Sequence, residues 1–299
     1  FLQSSYGLAA WKHWVQRKNS ELSRLSSASR PMKLFKEDLL SLNCDELNNA
    51  LCIFLKDLRK PSGEEFQGDT VFYLLLGIQQ YLFACARTDC IFMDFGFERF
   101  TTGLDDICKR FLEELAADSL AGGMNIFGTR ITEDMLWESR QLGAHTPQVL
   151  LNTLFYFNTK VFRLKTVEEH VAISFVQIVK QWKRANVGRE GQVTRMTLLR
   201  YFPKKSANTG KPADWQGYYM YENKEDPLRC PVKLYEFYLS KCPESVRNTR
   251  NIYYVYPERS CVPDSPVWFS TQPLHPETLS KMLNRALMVR EVQEAHSLP

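Results

Sequence analysis

Apolar residues along the first third of the chain recur every three to four positions, the period of a helix with one buried stripe. Between Asp45 and Lys60 the stripe is Leu47, Leu51, Phe54, Leu55 and Leu58, and the turn signal Pro61-Ser62-Gly63 ends it. Asp69 and Thr70 read as the N-cap of a second helix that keeps Val71, Leu74, Leu75, Ile78, Leu82 and Cys85 in phase. A third carries Leu104, Ile107, Cys108, Phe111, Leu112 and Leu115. Upstream, Tyr6 to Lys18 sets Leu8, Trp11, Trp14 and Val15 on one face and Lys12, Arg17 and Lys18 elsewhere, which predicts an amphipathic helix. Four or five short helices make an all-α domain, expected over 1–118.

The period is lost across 116–129, where Ala, Gly and Ser collect around Gly122-Gly123, and this is the expected linker to a second domain over 129–299. Thr146-Pro147 opens a helix with Leu150, Leu151, Leu154 and Phe155 buried. The period then becomes two. Val171, Ile173 and Phe175 alternate, Met196 and Leu198 do so in TRMTLLRYF, and GYYMYEN over 217–223 has strand composition. Strands are expected at 171–180, 193–202 and 216–223. Helices resume at Pro231 to Lys241 and Pro276 to Arg290, each entered through proline. The expected fold is mainly α with a small antiparallel β-sheet, an α+β chain of two domains.

Composition adds little to this. With 299 residues, 44% hydrophobic and 24% charged, the chain is in the globular range, and no uncharged apolar run approaches the ~20 residues that span a bilayer, so no membrane role is expected. It begins at Phe1 with no signal-peptide pattern, and reads as part of a longer protein. The net charge of +4 hides an asymmetry that matters more. Residues 1–36 hold seven bases against Glu21, and 178–211 hold nine bases against Glu190, while 94–138 hold ten acids against four bases. One basic segment per domain suits a clamp on a DNA duplex; a solvated surface is the plainer reading. The DNA-contact candidates are Lys183, Arg184, Arg195, Arg200, Lys204, Lys205 and Lys211, expected along one face.

Enzyme signatures are absent: the chain has no Walker loop, no G-x-G-x-x-G, no H-E-x-x-H and no G-x-S-x-G. The eight cysteines (Cys44, Cys52, Cys85, Cys90, Cys108, Cys230, Cys242, Cys261) form no C-x-x-C pair, so they read as reduced thiols and no metal site is expected. Cys85 and Cys90, five apart on a helix, would face different directions. The five histidines are scattered, His145 and His275 beside helix starts, and Thr166-x-x-Glu169 is a capping box.

Four long strings carry a resemblance: CDELNNALCIFLKDLRKPSGEEF at 44–66, LGIQQYLF at 76–83, LWESRQLGAHTPQVLLNTLFYFNTKVFRLKTVEEH at 136–170 and RCPVKLYEFYLSKCPES at 229–245. They resemble the C-terminal domain of MYM-type zinc finger proteins, thought to derive from the tyrosine recombinase of Crypton-type transposons. The resemblance spans roughly 5–295. It implies a degenerate recombinase fold, with a helical core-binding-like domain before a catalytic-like one. It also implies a nuclear chromatin and transcription regulator associated with histone deacetylase and lysine demethylase corepressor complexes, its zinc confined to upstream MYM fingers.

A recombinase needs a tyrosine nucleophile, and arginines, a lysine and a histidine to neutralise the transition state. The family's first arginine falls in Asn158-Thr159-Lys160, with Arg163 three residues on, so Lys160 and Arg163 read as degenerate remnants. In His-x-x-Arg the arginine is replaced by Thr278 after His275 and by Pro299 after His296. Tyrosines cluster from Tyr218 to Tyr256, where core packing is the plainer use. No catalysis is expected. The favoured reading is a non-catalytic protein-interaction scaffold, the alternative is a DNA-binding module that does not cut, and an active recombinase is the remotest.

Overall fold

The computed structural model describes residues 1–25, 32–120, 128–187, 192–203 and 218–297; Lys204, Lys205 and Lys211 lie outside the described residues, as do Arg30 and Pro299. The chain is mainly helical with small antiparallel sheets. It divides into two compact units, Phe1–Gln141 with Leu287–Gln293, and Leu142–Ala286 with Glu294–Pro299. The linker expected at 116–129 falls, in chain order, within the first.

The first unit is built on α1 (Ser4–Leu25), α2 (Cys44–Asp57), α3 (Gly68–Ala84), α4 (Glu98–Leu120) and the short α5 (Glu133–Glu138). Asn43 and Glu46 close a reciprocal capping box on α2, satisfying two of the amides that a helix start leaves open. Trp11 and Trp14 of α1 are buried against Phe54 of α2, at ring distances of 5.4 and 5.5 Å. α1 packs on α3 at two glycines: a Cβ on Gly7 would lie 2.3 Å from the Leu74 carbonyl oxygen, and one on Gly77 would lie 3.3 Å from the Gln3 oxygen.

Asp69 corrects an expectation. The N-cap of α3 is Gln67, upstream of the residues read as the cap, and Asp69 is a buried first-turn residue. Its Oδ2 accepts from the Arg130 backbone N at 3.0 Å and from Arg130 Nε at 3.2 Å. That buried carboxylate ties residues 128–131 back to the helices. Arg290 adds a second tie, its N donating to the Ile131 oxygen at 2.9 Å and its guanidinium to the Thr129 oxygen. No described helix is long and apolar enough to cross a membrane.

The second unit contains α6 (Pro147–Val161), α7 (Val167–Ala172), β1 (Ile178–Val187), β2 (Gln192–Tyr201), β3 (Tyr218–Tyr221), α8 (Pro231–Lys241), α9 (Glu244–Arg247), β4 (Val255–Pro257), β5 (Phe269–Pro273) and α10 (Pro276–Leu287). A last helix, α11, runs Arg290–Ser297. Thr146 caps α6 as the sequence predicts, and Thr166 and Glu169 form the expected capping box, which starts α7. That box explains why the first strand begins at 178 and not 171: Val171 belongs to the capped helix, and Phe175–Gln177 is a 3-10 turn. The main sheet has the order β1-β2-β3, all antiparallel. Tyr201 stacks on Phe162 at 4.9 Å, and Met220 is buried in the same sheet. β4 and β5, not foreseen, make a second two-stranded sheet. The aromatic core is Phe175, Tyr235, Tyr238, Tyr253 and Phe269, with Tyr238 Oη donating to the Tyr253 oxygen at 2.5 Å.

Candidate nucleic-acid interface

β3 pairs with Leu198 to Tyr201, and Glu222 just after it carries the ladder to Thr197, its N donating to the Thr197 oxygen at 2.9 Å, so β1 and β2 run on as a two-stranded ribbon with the pairs Lys183 to Met196 and Arg184 to Arg195. Directly opposed residues of an antiparallel pair share a face. One face carries Ile178, Lys180, Trp182 and Arg184 with Tyr201, Leu199, Thr197 and Arg195. Its inner end is buried at Ile178, Leu199 and Tyr201, and Lys180 pairs with Glu236 of α8. Farther out Trp182 is exposed, the Arg195 guanidinium lies 4.5 Å from its ring centre, and Arg184 stands opposite Arg195. Like charges directly opposed cost stability unless an anion lies between or over them.

The other face carries Val179, Gln181 and Lys183 with Arg200, Leu198 and Met196, and then Tyr219 and Tyr221 of β3. Lys183 Nζ is 4.6 Å from the Tyr219 ring centre; Arg200 is 5.4 Å from Tyr219 and 4.5 Å from Phe202. Leu198 is buried on this face, whereas Val179, Phe202 and Tyr221 are exposed.

The four described DNA-binding candidates thus fall into two pairs on opposite faces and do not line one face. Lys183 and Arg200 share the outer face and Arg184 and Arg195 the other, because side chains alternate along a strand. A two-stranded ribbon nevertheless suits a polyanion, since Trp182, Lys183, Arg184 and Arg195 are all exposed on it. The amino-terminal basic segment behaves differently. Lys12 meets Glu37, Arg17 meets Glu21, Lys18 meets Asp57, and Lys33 and Lys36 both meet Glu46. Five of its seven cations thus lie beside carboxylates of the same unit.

Lys160 and Arg163, which the resemblance reads as degenerate remnants, lie at and just beyond the end of α6. Lys160 lies in the last turn of α6, and Arg163, just past the Phe162 cap at φ 55°, lies over the Tyr218 ring at 5.8 Å. His275 caps α10, its Nδ1 accepting from Glu277 N. His296 is half-buried and its Nε2 donates to the Thr159 oxygen at 2.7 Å. Burial pulls its pKa down. His170 is fully buried, stacked on Phe155 at 4.0 Å. Both ring nitrogens have partners. Thr159 Oγ1 donates to the Phe155 oxygen at 2.8 Å and lies 3.2 Å from His170 Nε2, Tyr254 Oη lies 2.9 Å from Nδ1, and the Leu164 backbone also hydrogen-bonds the ring. Asn158 Nδ2 in turn donates to the Tyr254 hydroxyl at 2.9 Å. Tyr235, Tyr238, Tyr253 and Tyr254 are buried, and burial raises the pKa of each. Cys85 is exposed and Cys90 buried.

Sequence reasoning missed Trp182, Phe202, Tyr219 and Tyr221 as part of this interface. Their signal was available in K-Q-W-K-R, R-Y-F and Y-Y-M-Y, where aromatic and basic residues interleave at strand spacing. The tyrosines assigned to the core divide accordingly: Tyr235 to Tyr254 are buried, and Tyr219 and Tyr221 are on the outer face.

The model of a domain of unknown function, DUF3504, matches residues 127–288, more than half of the chain and all of the ribbon. The chain belongs to the DUF3504 family. The QRICH1 domain model matches residues 1–111, so the two matches fall on different parts of this DUF3504 chain. Mouse zinc finger MYM-type protein 3 is 41% identical over 311 residues, which cover 100% of the chain and 22% of that protein. Human transcriptional regulator QRICH1 is 40% identical over 302 residues, 98% of the chain and 38% of the relative. Human zinc finger MYM-type protein 2 is 40% identical over 306 residues, 97% and 21%. The chain therefore spans well under half of these curated relatives. No solved structure matches it.

Proposed function

We propose that this chain is a non-catalytic, recombinase-derived domain of a nuclear transcription regulator, one that docks chromatin proteins and grips duplex DNA without reading its sequence. Relatives named as a transcriptional regulator and as MYM-type zinc finger proteins support the regulatory setting. Histone deacetylase and lysine demethylase corepressors are the partners its resemblance points to. The observation that carries the DNA part is the Arg184 to Arg195 pair on the two-stranded ribbon, with Lys183 on its other face. Two-stranded ribbons fit a DNA groove, and arginines that repel one another gain when phosphate comes between them.

Binding to random duplex should be weak and steeply salt-dependent. With about four to six phosphates neutralised, log K against log salt should slope about −4 to −5, and Arg184→Gln with Arg195→Gln should flatten it by about 2, because every phosphate left without its arginine keeps its counterion. The same double substitution should leave unfolding stability within about 0.5 kcal/mol of wild type or raise it. Absence of affinity at low salt would remove the DNA part and leave the docking role alone. Duplex and nicked suicide substrates should trap no tyrosyl-DNA adduct, since Thr278 stands where the chemistry needs arginine and the core tyrosines are buried. One adduct mapped to this chain by mass spectrometry would refute the non-catalytic assignment.

A further inference from the structure

We propose that the outer face of the three-stranded sheet is a stacking platform for the unpaired bases of single-stranded DNA. This rests on the DNA reading above and extends it from the backbone grip of the ribbon to a separated strand on the neighbouring face.

The face has the two components such a platform needs. Along it, ring and cation alternate in the order Phe202, Arg200, Tyr219, Lys183, with separations of 4.5, 5.4 and 4.6 Å. Tyr219 and Tyr221 are nearly parallel, at 29°, with ring centres 6.3 Å apart, close to twice the ~3.4 Å rise between stacked bases. Phe202 is 40% exposed and Tyr221 45%, although the sheet has a buried face that would take apolar rings. Among the described strand residues no carboxylate shares the outer face, and Lys183 and Arg200 are the cations the strands set on it.

Chemistry selects the occupant. Rings standing on a sheet reach the flat faces of bases, and those faces are covered in a duplex and open in a single strand. Every base has such a face, so binding by stacking tolerates any sequence. The interleaved cations meet the phosphates between bases. A protein partner with enough acid to match Lys183 and Arg200 would gain from the charges but not from near-parallel rings spaced for one base. DNA is the strand committed to, because the ribbon of the same unit offers its arginines to duplex DNA.

The test is fluorescence anisotropy of the full chain with labelled oligo-dT, oligo-rU and a hairpin duplex at one salt concentration. Oligo-dT should bind more tightly than the duplex, and Tyr219→Leu with Tyr221→Leu should weaken oligo-dT by about tenfold or more while moving the duplex less than about twofold. Arg184→Gln with Arg195→Gln should weaken duplex binding most. Unchanged oligo-dT affinity in the tyrosine variant overturns the platform even where the ribbon substitutions still abolish duplex binding, so the two readings fail separately. Tighter binding of oligo-rU than oligo-dT overturns the assignment to DNA. Should the double variant not fold, Tyr221→Ser, at an exposed position, carries the same test and must still weaken oligo-dT.

Discussion

Between pH 7 and pH 5 the second unit should lose about 2 kcal/mol of unfolding free energy, and His170→Gln should abolish most of that loss. The imidazole of His170 titrates near 6.5 when unfolded and at about 3 when folded, chiefly because burial disfavours its charged form. Between these values the unfolded chain binds the extra proton, so the contribution is whole above pH 6.5 and drains as pH falls toward 3. Half-buried His296 is shifted the same way and adds to the slope. Most carboxylates titrate lower, so the window from 7 to 5 belongs mainly to histidines. The network gives the protonation a local consequence: a charged ring is a donor at both nitrogens, so the Thr159 and Tyr254 hydroxyls that flank it must both accept from it. Glutamine keeps one donor and one acceptor but does not titrate. Urea midpoints at the two pH values, followed by near-ultraviolet circular dichroism of the aromatic core, decide it, and equal slopes for wild type and variant would refute the assignment.

What could be read from the sequence divides along the same line between local and distant causes. Thr146-Pro147, Thr166 with Glu169, and Pro231 are start signals whose partners lie within one helical turn, and the helices they open begin where expected. Asp69 looked like another such signal, but its partner is Arg130, sixty-one residues on. β4 and β5 were hidden for a related reason: each is short, each ends on proline, and only their mutual pairing makes them strands. At the candidate interface, the excess of positive charge was visible, but its geometry was not. Counting charges cannot assign faces; the register that opposes Arg184 to Arg195 and sets Lys183 beside Tyr219 does. Nor could counting distinguish this ribbon from the amino-terminal segment, whose cations find Glu37, Glu46 and Asp57 only after folding.

Gly7→Ala should destabilise the first unit by about 2 kcal/mol or more, against the ordinary expectation for a glycine inside a helix. Alanine there removes unfolded-state freedom and would by itself stabilise by roughly 0.5–1 kcal/mol. The opposing effect is steric and falls on backbone. The added methyl would sit 2.3 Å from the Leu74 carbonyl oxygen and 3.1 Å from Ile78 N, and neither can rotate away as a side chain could. α1 must therefore lift from α3, and the lift is transmitted to Trp11, Trp14 and Val15, all buried on α1. Gly103, within α4, supplies the control. A Cβ there meets Leu55 Cδ1 at 3.6 Å, an ordinary van der Waals distance, so Gly103→Ala should keep the propensity gain and stabilise by about 0.5–1 kcal/mol. Thermal unfolding of both variants separates the two effects: the shifts should have opposite signs. A Gly7→Ala chain as stable as wild type would mean that α1 and α3 do not touch backbone to backbone.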